Sequence, residues 1–176
     1  MQLSYDKTPD STTGQDTWAN LDAADTNYGN SVDMHVYQTP TSYDGIAFIK
    51  FPNLPSKATV IVSATLQLYM SYNDGSPSIT VERVTSADWD EDTLTWNNKP
   101  TGSGTLFAGA MVGEPGSYSL DVDQALLMCQ TNYGMRLYTT AVTATNWYTS
   151  NHATAGYRPR LTMKYHVPSS QVIFIM

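Results

Sequence analysis

Residues 63–70 read Ser63-Ala64-Thr65-Leu66-Gln67-Leu68-Tyr69-Met70. Successive side chains of an extended chain point to opposite faces. Ala64, Leu66, Leu68 and Met70 therefore share one face, and Thr65, Gln67 and Tyr69 share the other. One apolar and one polar face predict a half-buried strand. The next residues, Asn73-Asp74-Gly75-Ser76-Pro77, carry turn chemistry: glycine tolerates positive φ and proline pre-sets its own. Ile79-Thr80-Val81-Glu82-Arg83-Val84 then resumes the alternation.

Outward from this hairpin the same pattern predicts strands over 33–38, 46–51, 106–111, 117–120, 135–140 and 160–166, with one more from Val172 to Ile175. Many short strands separated by turns point to an all-β fold, a jelly-roll-type antiparallel β-sandwich. One segment departs from it. In Asp121-Val122-Asp123-Gln124-Ala125-Leu126-Leu127-Met128-Cys129-Gln130, the residues Val122, Ala125, Leu126 and Cys129 share a helical face. Asp121 and Gln124 have the spacing of a capping box. One short helix is therefore expected over 121–130, with Cys129 as a small buried side chain.

The chain has 176 residues, a length suited to one domain with a substantial core. No linker or internal repeat interrupts it, so residues 1–166 are read as a single sandwich and 167–176 as an apolar C-terminal extension. Charged residues make up only 14%, and the formal net charge is -7. Lys and Arg form no run, so the clustered cations that neutralise phosphates are missing and no nucleic-acid partner is expected. An acidic surface also disfavours anionic membranes, and no stretch is long enough to span one. A lone cysteine excludes an intrachain disulfide, and the three histidines are too scattered for a zinc site. The opening residues 1–7 lack the basic and apolar regions of a signal peptide.

A set of landmarks recurs in fixed order. It runs Gln15-Asp16-Thr17-Trp18, Asp25-Thr26-Asn27-Tyr28-Gly29-Asn30, then Ile46-Ala47-Phe48-Ile49-Lys50-Phe51 with Leu54-Pro55. Val81-Glu82-Arg83-Val84-Thr85 follows the hairpin. The most specific piece is Trp89-Asp90-Glu91-Asp92-Thr93-Leu94-Thr95-Trp96-Asn97-Asn98-Lys99-Pro100. Asn132-Tyr133-Gly134 and Arg158-Pro159-Arg160-Leu161-Thr162 close the set. Over about Gln15 to Tyr165 the chain resembles the DNRLRE domain family, a carbohydrate-binding-module-like β-sandwich. The resemblance implies a binding module of bacterial or archaeal surface proteins, polysaccharide-degrading enzymes or phage particles.

Three groups could carry chemistry. The acidic run Asp88-Trp89-Asp90-Glu91-Asp92 reads as a solvated turn capped by Asp92 or Thr93, since a glycosidase needs two carboxylates held apart across a bond. The first loop offers Asp16, Asp22 and Asp25 as candidate calcium ligands, although Asx turns account for the same composition. No other cofactor is expected. Sugar rings stack on aromatic faces while amides pair with hydroxyls. This selects Trp147, Tyr148, Asn151 and Tyr157 as glycan-binding candidates, with the alternative that Trp147 and Tyr148 alternate across a strand. No motif of a nucleophile elbow, phosphate loop or metalloprotease is present, so no catalysis is expected.

The C-terminal residues Val172, Ile173, Phe174 and Ile175 are apolar on both faces of a strand. Such a strand needs burial, in its own sandwich or against another copy or partner. Together these features predict a structural and binding protein of a phage particle, a capsid decoration or fibre component at the virion surface. Its partners would be other virion proteins or copies of itself, with surface glycans as possible contacts. The alternative is an extracellular polysaccharide-binding module.

Overall fold

A computed structural model describes residues 1–75, 77–111, 113–122 and 129–168. Among them eleven strands form one antiparallel sheet: β1 (Gln2–Lys7), β2 (Gln15–Asn20), β3 (Asp33–Thr39), β4 (Ser42–Lys50), β5 (Val60–Asp74), β6 (Ser78–Val84), β7 (Gly102–Ala110), β8 (Gly116–Asp121), β9 (Met135–Thr139), β10 (Ala144–Tyr148) and β11 (Arg160–His166). The main path runs β1-β11-β5-β10-β3-β4-β9-β6-β7, with β2 added beside β4 and β8 beside β5. Short 3-10 turns occupy Leu21–Ala23 and Ala155–Tyr157. This is the expected all-β, sandwich-type architecture.

The two long strands make the sheet curl. β5 pairs with β11 from Val60 to Gln67 and with β10 from Met70 to Asp74, while β8 runs along its other edge. β4 likewise pairs with β3 near Ser42–Gly45, with β9 at Ala47–Ile49 and with β2 on the opposite edge. Each long strand thus hands one edge from one partner to the next. The sheet curls over on itself without closing, β1 and β7 ending its path, and residues from both flanks share one core. Ala64, Leu66, Leu68, Met70, Leu161 and Met163 meet Ala47, Ile49, Ile79, Val81, Met135 and Leu137 there. The alternation in 63–70 is realised as expected, with Thr65, Gln67 and Tyr69 facing outward.

A second, smaller core lies on the other face of β4. Ile46 and Phe48 pack there with Ala19, Val84, Trp89 and Leu94. Lys50 fastens this cover through Asp88 at 2.9 Å and the Trp89 carbonyl at 2.7 Å. The Trp89 indole N–H donates to the Tyr133 carbonyl at 2.7 Å. Asp90, not Asp92 or Thr93, caps the acidic turn: its side chain accepts from Asp92 N–H, and its carbonyl from Thr93 and Leu94 N–H. Asn27 ties the first loop to this turn by donating to the Glu91 and Leu94 carbonyls. Gly134 stands at φ 81°, and a Cβ there would run into the Ile49 carbonyl oxygen. Only glycine accepts both constraints at no cost.

Three strands lie outside the segments predicted from alternation. β1 carries little apolar pattern, yet it pairs along its whole length with β11. β2 buries Asp16, Thr17, Trp18 and Ala19 because cores lie on both of its faces. For Trp147 and Tyr148 the sequence allows two readings, a glycan-binding pair or alternation across a strand with one ring buried. The alternation is what forms, as β10: Trp147 is wholly buried and Tyr148 half-buried. The helix expected over 121–130 falls mostly on 123–128, outside the described residues. Asp121 ends β8, and Cys129, buried as expected, is helical with Gln130. Val172, Ile173, Phe174 and Ile175 also lie outside the described residues.

Asp16 joins β2 to the turn after β10. Its buried carboxylate accepts Ser150 N–H at 3.0 and 2.9 Å and Ser150 Oγ–H at 3.0 Å, while its own N–H donates to Glu91 at 2.9 Å. Burial pushes its carboxyl up to about 7; the Ser150 bonds oppose this and the Glu91 carboxylate adds to it.

Two predictions follow from these packing features. Trp147→Ala lowers unfolding stability in urea by about 3–5 kcal/mol, as expected for an emptied aromatic core site, and Trp147→Phe by less. The raised Asp16 carboxyl binds its proton more tightly in the folded than in the unfolded chain. Its contribution to stability is thus full below the ordinary carboxylate range and is lost as pH rises through about 7. Melting curves from about pH 5 to about pH 8 should show wild type losing stability relative to Asp16→Asn as pH rises. Parallel curves would contradict the assignment.

Candidate functional site

The outer face of β5 carries Gln67 and Tyr69, and β8 places Ser117 beside them. The chain then returns over this face. After Tyr148 on β10, a turn at 149–154 and the 3-10 turn Ala155–Tyr157 bring His152 and Tyr157 back toward Tyr69. The rings gather. Tyr69 lies 4.2 Å from Tyr157 and 5.6 Å from Tyr148, centroid to centroid, and Tyr148 lies 4.1 Å from His152. Tyr148 and Tyr157 are nearly parallel at 10°. Aromatic pairs in such offset arrangements hold one another's orientation.

A cleft of about 440 Å³ opens beside this cluster, walled by Tyr69, Gln67, Ser117, Gly156, Arg158 and Arg160. Tyr69 is the ring that faces it; Tyr148 and Tyr157 stand behind or beside that ring. Arg158 donates to the His152 carbonyl at 2.7 Å and the Ala153 carbonyl at 3.3 Å, bracing the return loop. Arg160 forms a two-pronged pair with Asp6 at 2.8 and 2.6 Å, which holds the Asp6 carboxyl below its ordinary range. Among the described residues no carboxylate pairs with Arg158, so its charge is left to the cleft. The cleft thus offers one aromatic face, an amide, a hydroxyl and a cationic rim, a set that can stack on a sugar ring and pair with its hydroxyls.

The four residues selected from the sequence separate here. Tyr148 and Tyr157 join the aromatic cluster. Trp147 does not: it is fully buried, its indole N–H donates to Thr145 Oγ1 at 3.0 Å, and its ring meets Tyr118 edge-on. It has no face to offer a ligand, because the outward positions of β10 are Ala144, Asn146 and Tyr148. Asn151 is a brace, with its amide donating to the Gly29 carbonyl at 2.8 Å and the Ser31 carbonyl at 3.3 Å. Tyr69 was missed. Alternation had placed it on the polar face of its strand, and an aromatic ring on an otherwise polar face was the available signal.

The calcium candidates do not converge. Asp16 is buried against Ser150. Asp22 is exposed on the first 3-10 turn, its N–H capped by Asn20. Asp25 accepts from Asn97 at 2.7 Å. Among the described residues, no three Asp, Glu, His or Cys side chains come together as a metal site.

The chain is 28% identical over 140 residues to the tRNA nuclease WapA of Bacillus subtilis strain 168. It matches to the same extent the tRNA3(Ser)-specific nuclease WapA of Bacillus spizizenii and the tRNA(Glu)-specific nuclease WapA of Bacillus subtilis subsp. natto. In each case the match covers 75% of this chain but spans only about 6% of the curated relative. The family model of carbohydrate-binding module family 96 matches residues 7–165, from the end of β1 to the end of β11. With a sandwich of the expected kind and an aromatic cleft on its outer face, the chain belongs to carbohydrate-binding module family 96.

Proposed function

We propose that the protein is a non-catalytic glycan-binding module and that the Tyr69 cleft is its binding site. The observation that carries this reading is the Tyr69 ring, propped by Tyr157 at 4.2 Å and facing a cleft lined with hydrogen-bonding groups. Family membership supports the ligand class. A sugar ring stacks on Tyr69, Gln67 and Ser117 pair with its hydroxyls, and Arg158 closes one end. The rigid support matters because a ring already held in place loses little entropy on binding.

The nuclease activity named for the relatives is not assigned to this chain, since the match covers a small fraction of those proteins. The net charge of -7 also disfavours a nucleic-acid ligand. The expectation of assembly on a phage particle rested on the family resemblance, on the reading of the chain as one module without a signal peptide, and on the segment 172–175, which lies outside the described residues; neither the family nor the relatives add support to it. A carbohydrate-binding role is the reading the cleft favours, and an extracellular surface is the setting we propose for it.

Titration of the whole chain on a glycan array, followed by calorimetry with the best ligand, tests the site. Tyr69→Ala should weaken binding by about 1–3 kcal/mol, as for an aromatic anchor. Tyr148→Ala should weaken it less, because that ring acts through its neighbours. Full affinity in Tyr69→Ala would refute the site. Binding should also be independent of calcium. EDTA is expected to leave both the affinity and the melting temperature unchanged, because Asp16, Asp22 and Asp25 are held apart; a drop in either would reveal a metal.

A further inference from the structure

A second groove lies away from the tyrosine cluster, beside the turn that covers β4. It has two lobes of about 230 and 400 Å³. Both lobes are lined by Gln15 and Lys50, so they meet at those residues. One lobe extends to Pro52 and Asn132, the other to Asp88, Asp90 and Thr93. None of these residues belongs to the Tyr69 cleft.

Two features of the groove have no structural explanation within the fold. The amide oxygens Gln15 Oε1 and Asn132 Oδ1 are both buried without a hydrogen-bond donor. Buried acceptors are nearly always paired, so two orphans just beneath the wall of one lobe, on residues that line it, mark an unfilled requirement for donors. The amide nitrogen of Asn132 is already used, donating to the Phe51 carbonyl at 2.8 Å, which fixes which end of that amide is unserved. The floor and rim supply the complementary groups. Lys50 is held at 2.9 Å from Asp88 and 5.2 Å above the Trp89 ring, with a side chain only 14% exposed. Asp88 is 65% exposed. Lys50, Asp88 and Asp90 together leave one net negative charge in the groove.

From these groups we infer a second saccharide site, which takes a neutral, hydroxyl-rich glycan segment and not a uronate. Sugar hydroxyls donate to the Gln15 and Asn132 oxygens after a small turn of each amide, and to the Asp88 and Asp90 carboxylates. Lys50 donates to a hydroxyl or ring oxygen. A uronate is disfavoured because its carboxylate meets the net negative charge and finds Lys50 already paired with Asp88. The Tyr69 cleft, with Arg158 on its rim, has the opposite charge character. The inference rests on the reading of the protein as a glycan binder, and the two sites would let one module grip two chains, or two points on one chain.

Amide-detected NMR of the whole chain tests it, with neutral gluco-, manno- and galacto-oligosaccharides and an oligogalacturonate as probes. At least one neutral probe should move the side-chain amide signals of Gln15 and Asn132 saturably, and should still do so in Tyr69→Ala. Thr93→Trp, an exposed substitution that fills the second lobe, should weaken this response about tenfold, as should Asp88→Asn with Asp90→Asn. If probes move only the residues of the Tyr69 cleft, the second site is wrong and the first stands. If the oligogalacturonate moves Gln15 and Asn132 as strongly as any neutral probe, the ligand class is wrong. Silence at both sites with every probe would sink the second site and the glycan reading together.

Discussion

β4 is buried on both faces, and much of the molecule is arranged around that condition. Ala47 and Ile49 enter the main core while Ile46 and Phe48 enter the smaller one. An antiparallel strand commonly needs a cover on one face only. Here the second cover is a loop, the turn from Asp88 to Pro100, and a loop can serve as a lid only if its backbone polar groups find partners. Lys50, Asn27 and Asp90 supply them, and the Trp89 indole reaches the Tyr133 carbonyl. Four landmarks that looked like separate short motifs, 25–30, 46–51, 89–100 and 132–134, thus meet at this lid.

The same condition explains why β2 buries polar side chains. With cores on both faces, Asp16 has no route to water, and Ser150 satisfies it. That contact reaches the turn that follows β10 and leads into His152 and Tyr157. The packing that closes the lid over β4 is therefore continuous with the packing that positions the aromatic cluster. Asn151 strengthens the connection by holding the same turn to the Gly29 and Ser31 carbonyls. A binding cleft formed on a strand face and completed by a return loop needs such bracing, because an unsupported loop would have to be ordered on binding.

The contrast between the two grooves is one of chemistry. Tyr69 presents a ring on a strand already stiffened by β8 on one edge and by β10 and β11 on the other. The groove at Lys50 presents amides and carboxylates on a lid edge. Stacking suits the apolar face of a sugar ring, and amides and carboxylates suit its hydroxyl edge. A module with both kinds of surface can engage a polymer at more than one point without a deep pocket.

Eight of the eleven strands were legible in the sequence because alternation reports directly which face is dry, and the β-sandwich class followed from their number and spacing. β5 was readable almost residue by residue. β2 was not, because Asp16 and Thr17 look solvent-facing until both of its covers are in place. The candidate site was half legible. Tyr148 and Tyr157 stood out by composition, but Trp147 stood out equally and belongs to the core. Local sequence shows that two neighbours in a strand face opposite ways, and only the sheet decides which way is out. Tyr69 became a candidate only when a segment some eighty residues away folded back beside it. The sequence by itself determined the strand content and the acidic, cation-poor surface, since both depend on residue identity and local spacing. The cleft, the lid and the burial of Asp16 were decided by the tertiary structure, since each depends on which distant segments share a face.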